Sequence, residues 1–384
     1  MTSRSSTHIV VIAGEASGDA HAGRMIAELK QLTPTIHVSG IGGDTMRDAG
    51  ADIFVDFSEL AVMGIVEVLK RYRKIKTIFN QLVKRLADDK PDLLVVVDYP
   101  GFNLKLAKKA KKLGIPVLYY ISPKVWAWRK GRVKTIKKVV THMAVLFPFE
   151  KTLYDEAGVP ATCVGHPLVD AVQTQLTSEQ AKLKFGLDPE HRVLGLFPGS
   201  RRSEVEALLP VMIEAAERIQ KHHYDVSVVL PLAPGLDPSV IQPLLKLSKL
   251  PIKVVKHDFY DFTKACDAIV AASGTVTLEI ALLAVPHLIV YRVAPMTYRI
   301  LKRLVRIPYV GLCNIVTGNP VILELLQDDV TAERLEHELT LLLTQAGSKA
   351  KAETIRQEVL TALGPAGGAH NAAQLLINML DNPL

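Results

Sequence analysis

Short, almost wholly apolar runs bounded by turn residues recur along the chain at 9–13, 93–97, 117–120, 143–146, 193–197, 226–231, 252–255, 268–272 and 287–291. Runs without alternating polar positions are what strands covered on both faces show, so they predict a parallel sheet. Between them the period changes: Ala22, Met25, Ile26 and Leu29 fall at i, i+3, i+4 and i+7, one face of a helix that opens near Asp19. The alternation of strand and helix occurs twice, which predicts an α/β protein of two Rossmann-like, doubly wound domains. A polar stretch from Gln173 to Lys184 follows Val164-Gly-His-Pro167 and marks the seam. The tail reads as a hinge at Gly364-Pro365 and Gly367-Gly368 followed by a helix with Ala373, Leu376, Ile377 and Leu380 on its apolar face. The expected division is residues 1–170 plus 365–384, and residues 171–364, with the terminal helix returning to the first domain.

The chemistry sits where the strand runs end. Gly14-Glu-Ala-Ser-Gly-Asp19 and Pro198-Gly-Ser-Arg201 each follow a strand run and open into a helical one. In such folds ligands lie at the carboxyl ends of strands against helix amino termini, so two domains facing one cleft and a phosphate-bearing substrate are expected. Neither turn is a Gly-x-Gly-x-x-Gly fingerprint or a Walker loop, which favours a nucleotide sugar over a dinucleotide or ATP. In the second turn Gly199 allows close backbone approach, Ser200 offers a hydroxyl, and Arg201 offers a fork of donors for phosphate oxygens. Ser203 and Glu206 have capping-box spacing, and Pro210 is expected to limit or kink the helix within about two turns. A turn and cap alone would need no arginine, so phosphate binding is the stronger reading.

Ser273, Gly274 and Thr275 repeat the logic after the 268–272 run, at another expected helix amino terminus. Glu279 lies four residues beyond Thr275, on the same face, where a carboxylate suits ribose hydroxyls. A capped helix with an acid in its first turns explains each residue singly and the set less well. Asp98 ends the 93–97 run and is the type of group that deprotonates an attacking hydroxyl, although strand-end aspartates also cap loops; both readings stand. Glu15, Ser17 and Asp19 form a second polar cluster, with Asp19 also suited to cap its own helix. His166, before Pro167, reads as a structural turn histidine. No Asp-x-Asp motif and no His/Cys set with ligand spacing occurs, so neither a metal nor another cofactor is expected.

Composition adds direction. The chain has 384 residues and a net charge of +7, long enough for two ordinary cores. Residues 1–168 hold 25 Lys/Arg and 16 Asp/Glu, or +9, against 21 and 23, or −2, in the remainder. The positive charge clusters at 70–76, 105–112 and 129–138. Solvated helix faces explain such runs as well as attraction to a polyanion does. No nucleic-acid module is present, so nucleic acid is not expected and an anionic lipid surface is the better charged partner. The apolar stretch from Phe57 to Leu69, leading into Arg71-Tyr-Arg-Lys74, and Trp126 and Trp128 beside Lys124 and Arg129 fit a core helix or an interfacial, lipid-facing surface. No run of about 18 uncharged apolar residues would span a bilayer. Cys163, Cys266 and Cys313 lack metal or redox spacing, and the first apolar stretch, five residues ending at Ala13, is too short for a signal peptide, so a cytoplasmic location is expected.

Taken together, the blocks Gly14–Asp19, Glu59-Leu-Ala-Val-Met-Gly-Ile-Val-Glu-Val68, Asp98-Tyr-Pro-Gly-Phe-Asn103, Tyr120-Ile-Ser-Pro-Lys-Val-Trp-Ala-Trp-Arg129, Phe147-Pro-Phe-Glu-Lys151, Phe197-Pro-Gly-Ser-Arg201 and Ala272-Ser-Gly-Thr275 resemble the lipid-A-disaccharide synthase family. The resemblance implies a GT-B glycosyltransferase. It would transfer 2,3-diacylglucosamine from its UDP donor to the 6-hydroxyl of 2,3-diacylglucosamine 1-phosphate, with inversion and without a metal. It implies Asp98 as general base, and Gly199, Ser200, Arg201, Ser273, Gly274, Thr275, Glu279 and Asn314 on the donor side. Glu15, Ser17 and Asp19, with Val62, Met63, Ile65 and Val66 of the apolar stretch, fall on the acceptor side. Peripheral association with the inner face of the cytoplasmic membrane is also implied, and assembly as a homodimer is left open. At Cys313 the chain departs from the family, which commonly has proline before this asparagine. A nucleotide-sugar epimerase of the same architecture and a non-catalytic binding protein are the alternatives. The apolar and basic patch counts against the first, and the presence of Asp98 and Arg201 against the second.

Overall fold

The computed structural model describes the chain apart from residues 1–6, 61–64, 127–130, 224, 234, 247, 295–297, 300–307 and 383–384; within the helix Ile65–Asp89 it does not describe the side chains of 65–72. The chain divides into two units, Met1–Pro167 with Leu363–Leu384, and Leu168–Ala362. Val62 and Met63, Trp128 and Arg129, and the side chains of Ile65 and Val66 lie outside the described residues.

The first unit is built on seven parallel strands: β1 (His8–Ala13), β2 (His37–Gly42), β3 (Asp52–Asp56), β4 (Leu93–Val97), β5 (Val117–Tyr120), β6 (His142–Val145) and β7 (Ala161–Cys163). Their order is β3-β2-β1-β4-β5-β6-β7. The second unit holds β8 (Arg192–Phe197), β9 (Val226–Pro231), β10 (Ile252–Val255), β11 (Ala268–Ala272), β12 (His287–Tyr291) and β13 (Glu324–Leu326), in the order β10-β9-β8-β11-β12-β13. The order reverses between β1 and β4 in one sheet and between β8 and β11 in the other. At such a reversal the connections leave in opposite directions and open a crevice at the strand ends. Ile9 to Ala13, all of β4 and all of β11 are buried, as the unbroken apolar runs require.

All nine expected strands form, with ends displaced by at most one residue. Four others, β2, β3, β7 and β13, lack the apolar signature. In β2 the reason is steric: a Cβ on Gly40 would stand 1.9 Å from the Val11 carbonyl oxygen, so glycine occupies a position where a larger residue would have advertised a strand. β7 and β13 are three-residue strands at sheet edges.

Two local expectations are corrected. The helix Arg202–His222 continues through Pro210 for its full 21 residues. Buried Val205, Leu208, Leu209, Met212 and Ile213 hold it against the sheet on both sides of the proline, so packing outweighs the lost backbone bond. Its start is capped through Arg201 and Glu204 rather than Ser203 and Glu206; the Glu206 carboxylate instead accepts from Arg202 Nε at 2.7 Å.

The terminal helix Gly368–Asp381 packs on Ala16–Leu32, with His370 Nδ1 3.0 Å from Glu28 Oε2. Asn371 Nδ2 donates to the Val164 carbonyl at 2.9 Å. At Gly165 (φ +93) the returning chain passes so close that a Cβ would stand 2.0 Å from the Pro365 oxygen.

Candidate active site

In the first unit, the turn after β1 and the turn after β4 meet at the reversal. Gly14 is buried, and a Cβ there would lie 2.6 Å from Cδ1 of Tyr99, so the aromatic ring rests on the glycine backbone. Asp98 (φ +42) and Tyr99 (φ +45) are both left-handed, as is Ile121 (φ +66) at the end of the neighbouring β5. Such values are uncommon for residues with a Cβ and persist only where surroundings hold them. Here they are held. The Asp98 amide donates to the Tyr120 carbonyl at 3.0 Å, and the Asp98 carbonyl accepts from Tyr119 Oη at 2.7 Å and Asn103 Nδ2 at 2.8 Å. The backbone is pinned on both sides, while the carboxylate projects half-buried from the strand end.

Burial and then the Glu15 charge raise the Asp98 pKa above the ordinary aspartate value; the Tyr99 amide, Lys124 and Arg132 pull the other way. Glu15 and Ser17 are exposed at the start of Ala16–Leu32, beside this carboxylate. Asp19 differs. It is 3% exposed, and its carboxylate accepts from the amides of Gly43 (2.6 Å), Thr45 (3.1 Å) and Met46 (3.3 Å). It therefore caps the short helix Asp44–Asp48 rather than its own helix, which makes it a positioning residue of the first unit. His166 is buried and stacked on Phe147 at 5.1 Å, and burial together with His21 lowers its pKa to about 4. That agrees with a structural histidine.

In the second unit the reversal brings Pro198–Arg201 after β8 beside Ser273–Thr275 after β11. Gly199 has the left-handed φ of +104 that favours glycine, and the Glu204 carboxylate lies against it, 2.5 Å from where a Cβ would stand. Glu204 accepts from the Ser200 and Arg201 amides, each at 3.3 Å, and its other oxygen meets Arg201 Nη1 at 2.7 Å. Arg201 nevertheless keeps a 79% exposed side chain. Ser273 Oγ donates to the Val310 carbonyl at 3.0 Å, whereas Gly274 and Thr275 are exposed before the helix Val276–Leu282. Glu279 is half-buried with Tyr260 Oη 3.4 Å away, and burial raises its pKa.

Asn314 takes a different part from its neighbours. It is 1% exposed, and Nδ2 donates to the Ile322 carbonyl and to Glu324 Oε1, both at 2.7 Å, while Oδ1 accepts from the Ile322 amide. Glu324 in turn accepts from the Val310 and Gly311 amides. The asparagine thus ties the 310–311 segment, which Ser273 also touches, to β13. Cys313 buries its thiol against the Thr277 carbonyl at 3.3 Å.

Glu204 and Glu324 escaped the sequence reading. For Glu204 the signal was present, an acid three residues after the helix N-cap; Glu324 is recognisable only through tertiary pairing. A cavity of about 310 Å³, lined by His287, Leu323, Leu341 and Lys351 among others, lies elsewhere in the second unit and includes none of the nominated residues. Among the described residues no cluster of three His, Cys, Asp or Glu could hold a metal, and no helix is long and apolar enough to cross a membrane.

Comparison with known proteins adds an independent line. A family model described as lipid-A-disaccharide synthetase matches residues 9–377. The lipid-A-disaccharide synthase of Geobacter sulfurreducens is 47% identical over 380 residues, covering 99% of this chain and 99% of the relative. That of Coxiella burnetii is 43% identical, with 98% and 99% covered. Among solved structures, the UDP-GlcNAc 2-epimerase of Neisseria meningitidis bound to UDP-GlcNAc aligns with TM-score 0.60 at 14% identity, over 97% of this chain and 99% of that one. MurG of Acinetobacter baumannii aligns with TM-score 0.57 at 15% identity, over 98% and 99%. At those identities the structures speak to the shared GT-B fold alone.

Proposed function

The chain belongs to the lipid-A-disaccharide synthase family and is a glycosyltransferase of lipid A biosynthesis, and from that premise we propose that it joins UDP-2,3-diacylglucosamine to 2,3-diacylglucosamine 1-phosphate with release of UDP. In this reading Asp98 takes the proton of the acceptor 6-hydroxyl as that oxygen attacks the anomeric carbon from the face opposite UDP, giving inversion. The observation that carries it is the division of chemistry between the two strand-order reversals. One presents a half-buried carboxylate of raised pKa on a pinned backbone, suited to general base catalysis. The other presents an exposed arginine, a left-handed glycine turn and a second turn at the adjacent strand end, suited to a diphosphate.

Residues 1–170 with 365–384 are accordingly the acceptor side, and 171–364 the donor side. Arg201, the Ser200 hydroxyl and the amides of Gly274 and Thr275 would meet the leaving diphosphate, Glu279 would accept from ribose hydroxyls, and Asn314 would shape the adjoining loop. Glu15 and Ser17 border the acceptor. No metal is assigned. Charge on the departing UDP would be met by Arg201 and backbone dipoles.

The basic helices Ile65–Asp89, Pro100–Lys112 and Arg132–Val139 would hold the enzyme against the anionic inner face of the cytoplasmic membrane, where its acylated substrates reside. Loss of vesicle binding as salt is raised supports this part, and salt-indifferent binding contradicts it. The transfer itself is tested by following UDP release from the acylated UDP-sugar with and without the monosaccharide 1-phosphate. Acceptor-dependent release is expected. Conversion of the UDP-sugar to its C2 epimer without acceptor would replace the proposal with an epimerase.

A further inference from the structure

The loop that follows β5 is tied to the rest of the first unit through a residue outside the chemistry assigned above. Glu150 stands three residues after Phe147, the N-cap of the helix Pro148–Glu156, and is only 3% exposed. It accepts a hydrogen bond from Trp126 Nε1 at 3.1 Å, and the Leu146 and Phe147 amides face the same carboxylate. The Trp126 ring stands edge-on to Phe149 at 5.5 Å, and Phe149 stacks on Phe147 at 5.4 Å. Earlier in the loop, Ser122 Oγ and Tyr154 Oη are 2.8 Å apart.

Between these two attachments lies Lys124, whose side chain is exposed and whose charge acts on both Asp98 and Glu150. One lysine is therefore shared by two carboxylates, one at the end of β4 and the other in the first turn of the helix Pro148–Glu156. A buried acid is a poor filler of an apolar core, because its charge must be desolvated. Its presence here makes sense if it orients what it binds.

We propose that Glu150 is a positioning residue for the transfer reaction: by clamping Trp126 it holds the loop of residues 122–126 so that the Lys124 charge stays within reach of Asp98. The proposal rests on the reading of Asp98 as the base. Burial pushes the Glu150 pKa up to about 7, against the pull of Trp126, the two amides and Lys124. Tyr154 and Cys163 face the same carboxylate, and each is raised by burial first and by Glu150 in addition.

The test compares E150A, E150Q and W126F in the full-length enzyme, measuring kcat/KM across pH alongside UDP binding. Loss of the clamp in E150A is expected to lower kcat/KM by roughly tenfold or more, the scale of a misplaced catalytic group, with UDP affinity unchanged. The E150Q side chain keeps an oxygen to accept from Trp126, so most of that loss should be recovered. It also removes the charge that competes for Lys124 once the pH rises through about 7. Glu150 titrates near pH 7 and carries no charge where Asp98 titrates, so E150Q should leave the acid limb in place and remove the inflection near pH 7 that Glu150 ionisation gives to kcat/KM, which a merely structural role would not produce. Adding W126F to E150A should cost nothing further, since both remove one contact.

Wild-type kinetics in E150A would overturn the proposal, as would an E150Q enzyme as slow as E150A that keeps the inflection near pH 7. Should E150A fail to show a native melting transition, W126F and E150Q carry the same two readouts. A D98N enzyme that turns over normally would sink the base assignment instead, leaving the recovery of rate by E150Q separately readable.

Discussion

The Tyr99 ring lies directly on the backbone of Gly14, so close that a single added carbon would stand 2.6 Å from its Cδ1. That contact locks the turn after β1 to the turn after β4, and Tyr99 is the residue next to Asp98. Gly14→Ala must move the ring, and overpacking of this kind costs about 1–3 kcal/mol. We expect a lowered melting temperature and a kcat/KM reduced by roughly tenfold or more through displacement of Asp98, with UDP affinity retained. Unchanged turnover would show that the Asp98 turn does not depend on the contact.

The pH profile should carry the imprint of Asp98. A general base works when ionised, so activity falls as pH drops through its pKa. Because burial and Glu15 raise that pKa, the acid limb of kcat/KM should lie above the ordinary aspartate value of about 3.9. Glu15→Gln removes one of the raising charges, and the limb should shift to lower pH. A shift in the opposite direction would place the titrating group elsewhere.

Arg201 makes a prediction in the other unit. Arg201→Ala removes a charge-assisted donor, worth about 1.5–3 kcal/mol, so UDP binding measured by calorimetry should weaken roughly ten- to hundredfold. Lysine at this position should recover only part of the loss, since it lacks the planar fork. Equal UDP affinity in wild type and Arg201→Ala would remove the residue from the diphosphate site.

Much of this arrangement was legible in the sequence, for a physical reason. Strands buried on both faces must be apolar throughout, so β4 and β11 announced themselves and marked Asp98 and Ser273 as strand-end residues. The β2 strand was hidden because Gly40 meets the β1 backbone. What the sequence could not separate was the job of each polar residue. Asp19 and Asn314 look like site residues by type and position, yet both are buried and bonded to backbone amides or carbonyls far along the chain, at residues 43–46 and 322. Only folded proximity distinguishes them from Asp98 and Arg201.

Asp267 shows the same distinction in stability. Burial would raise its pKa, but Lys182 and Lys349, each at 2.8 Å, and the Val193 amide at 3.0 Å outweigh that and hold it below the ordinary value. A depressed folded-state pKa contributes stability above the unfolded value of about 3.9, and that contribution is lost as pH falls through the folded value. Asp267→Ala leaves Lys182 buried beside an empty place and should cost about 3–5 kcal/mol in urea unfolding. Asp267→Asn should flatten the decline of stability below about pH 4. A cost under about 1 kcal/mol for the alanine variant would mean that the buried pair is not held as described.

The division of labour between the two units is tested most directly by Asp98→Asn, assayed at once for turnover and for UDP binding. With the base removed and the donor turns intact, turnover should fall by roughly 10²- to 10⁴-fold while the Kd for UDP stays at its wild-type value. Normal turnover in this variant would contradict the account at its centre.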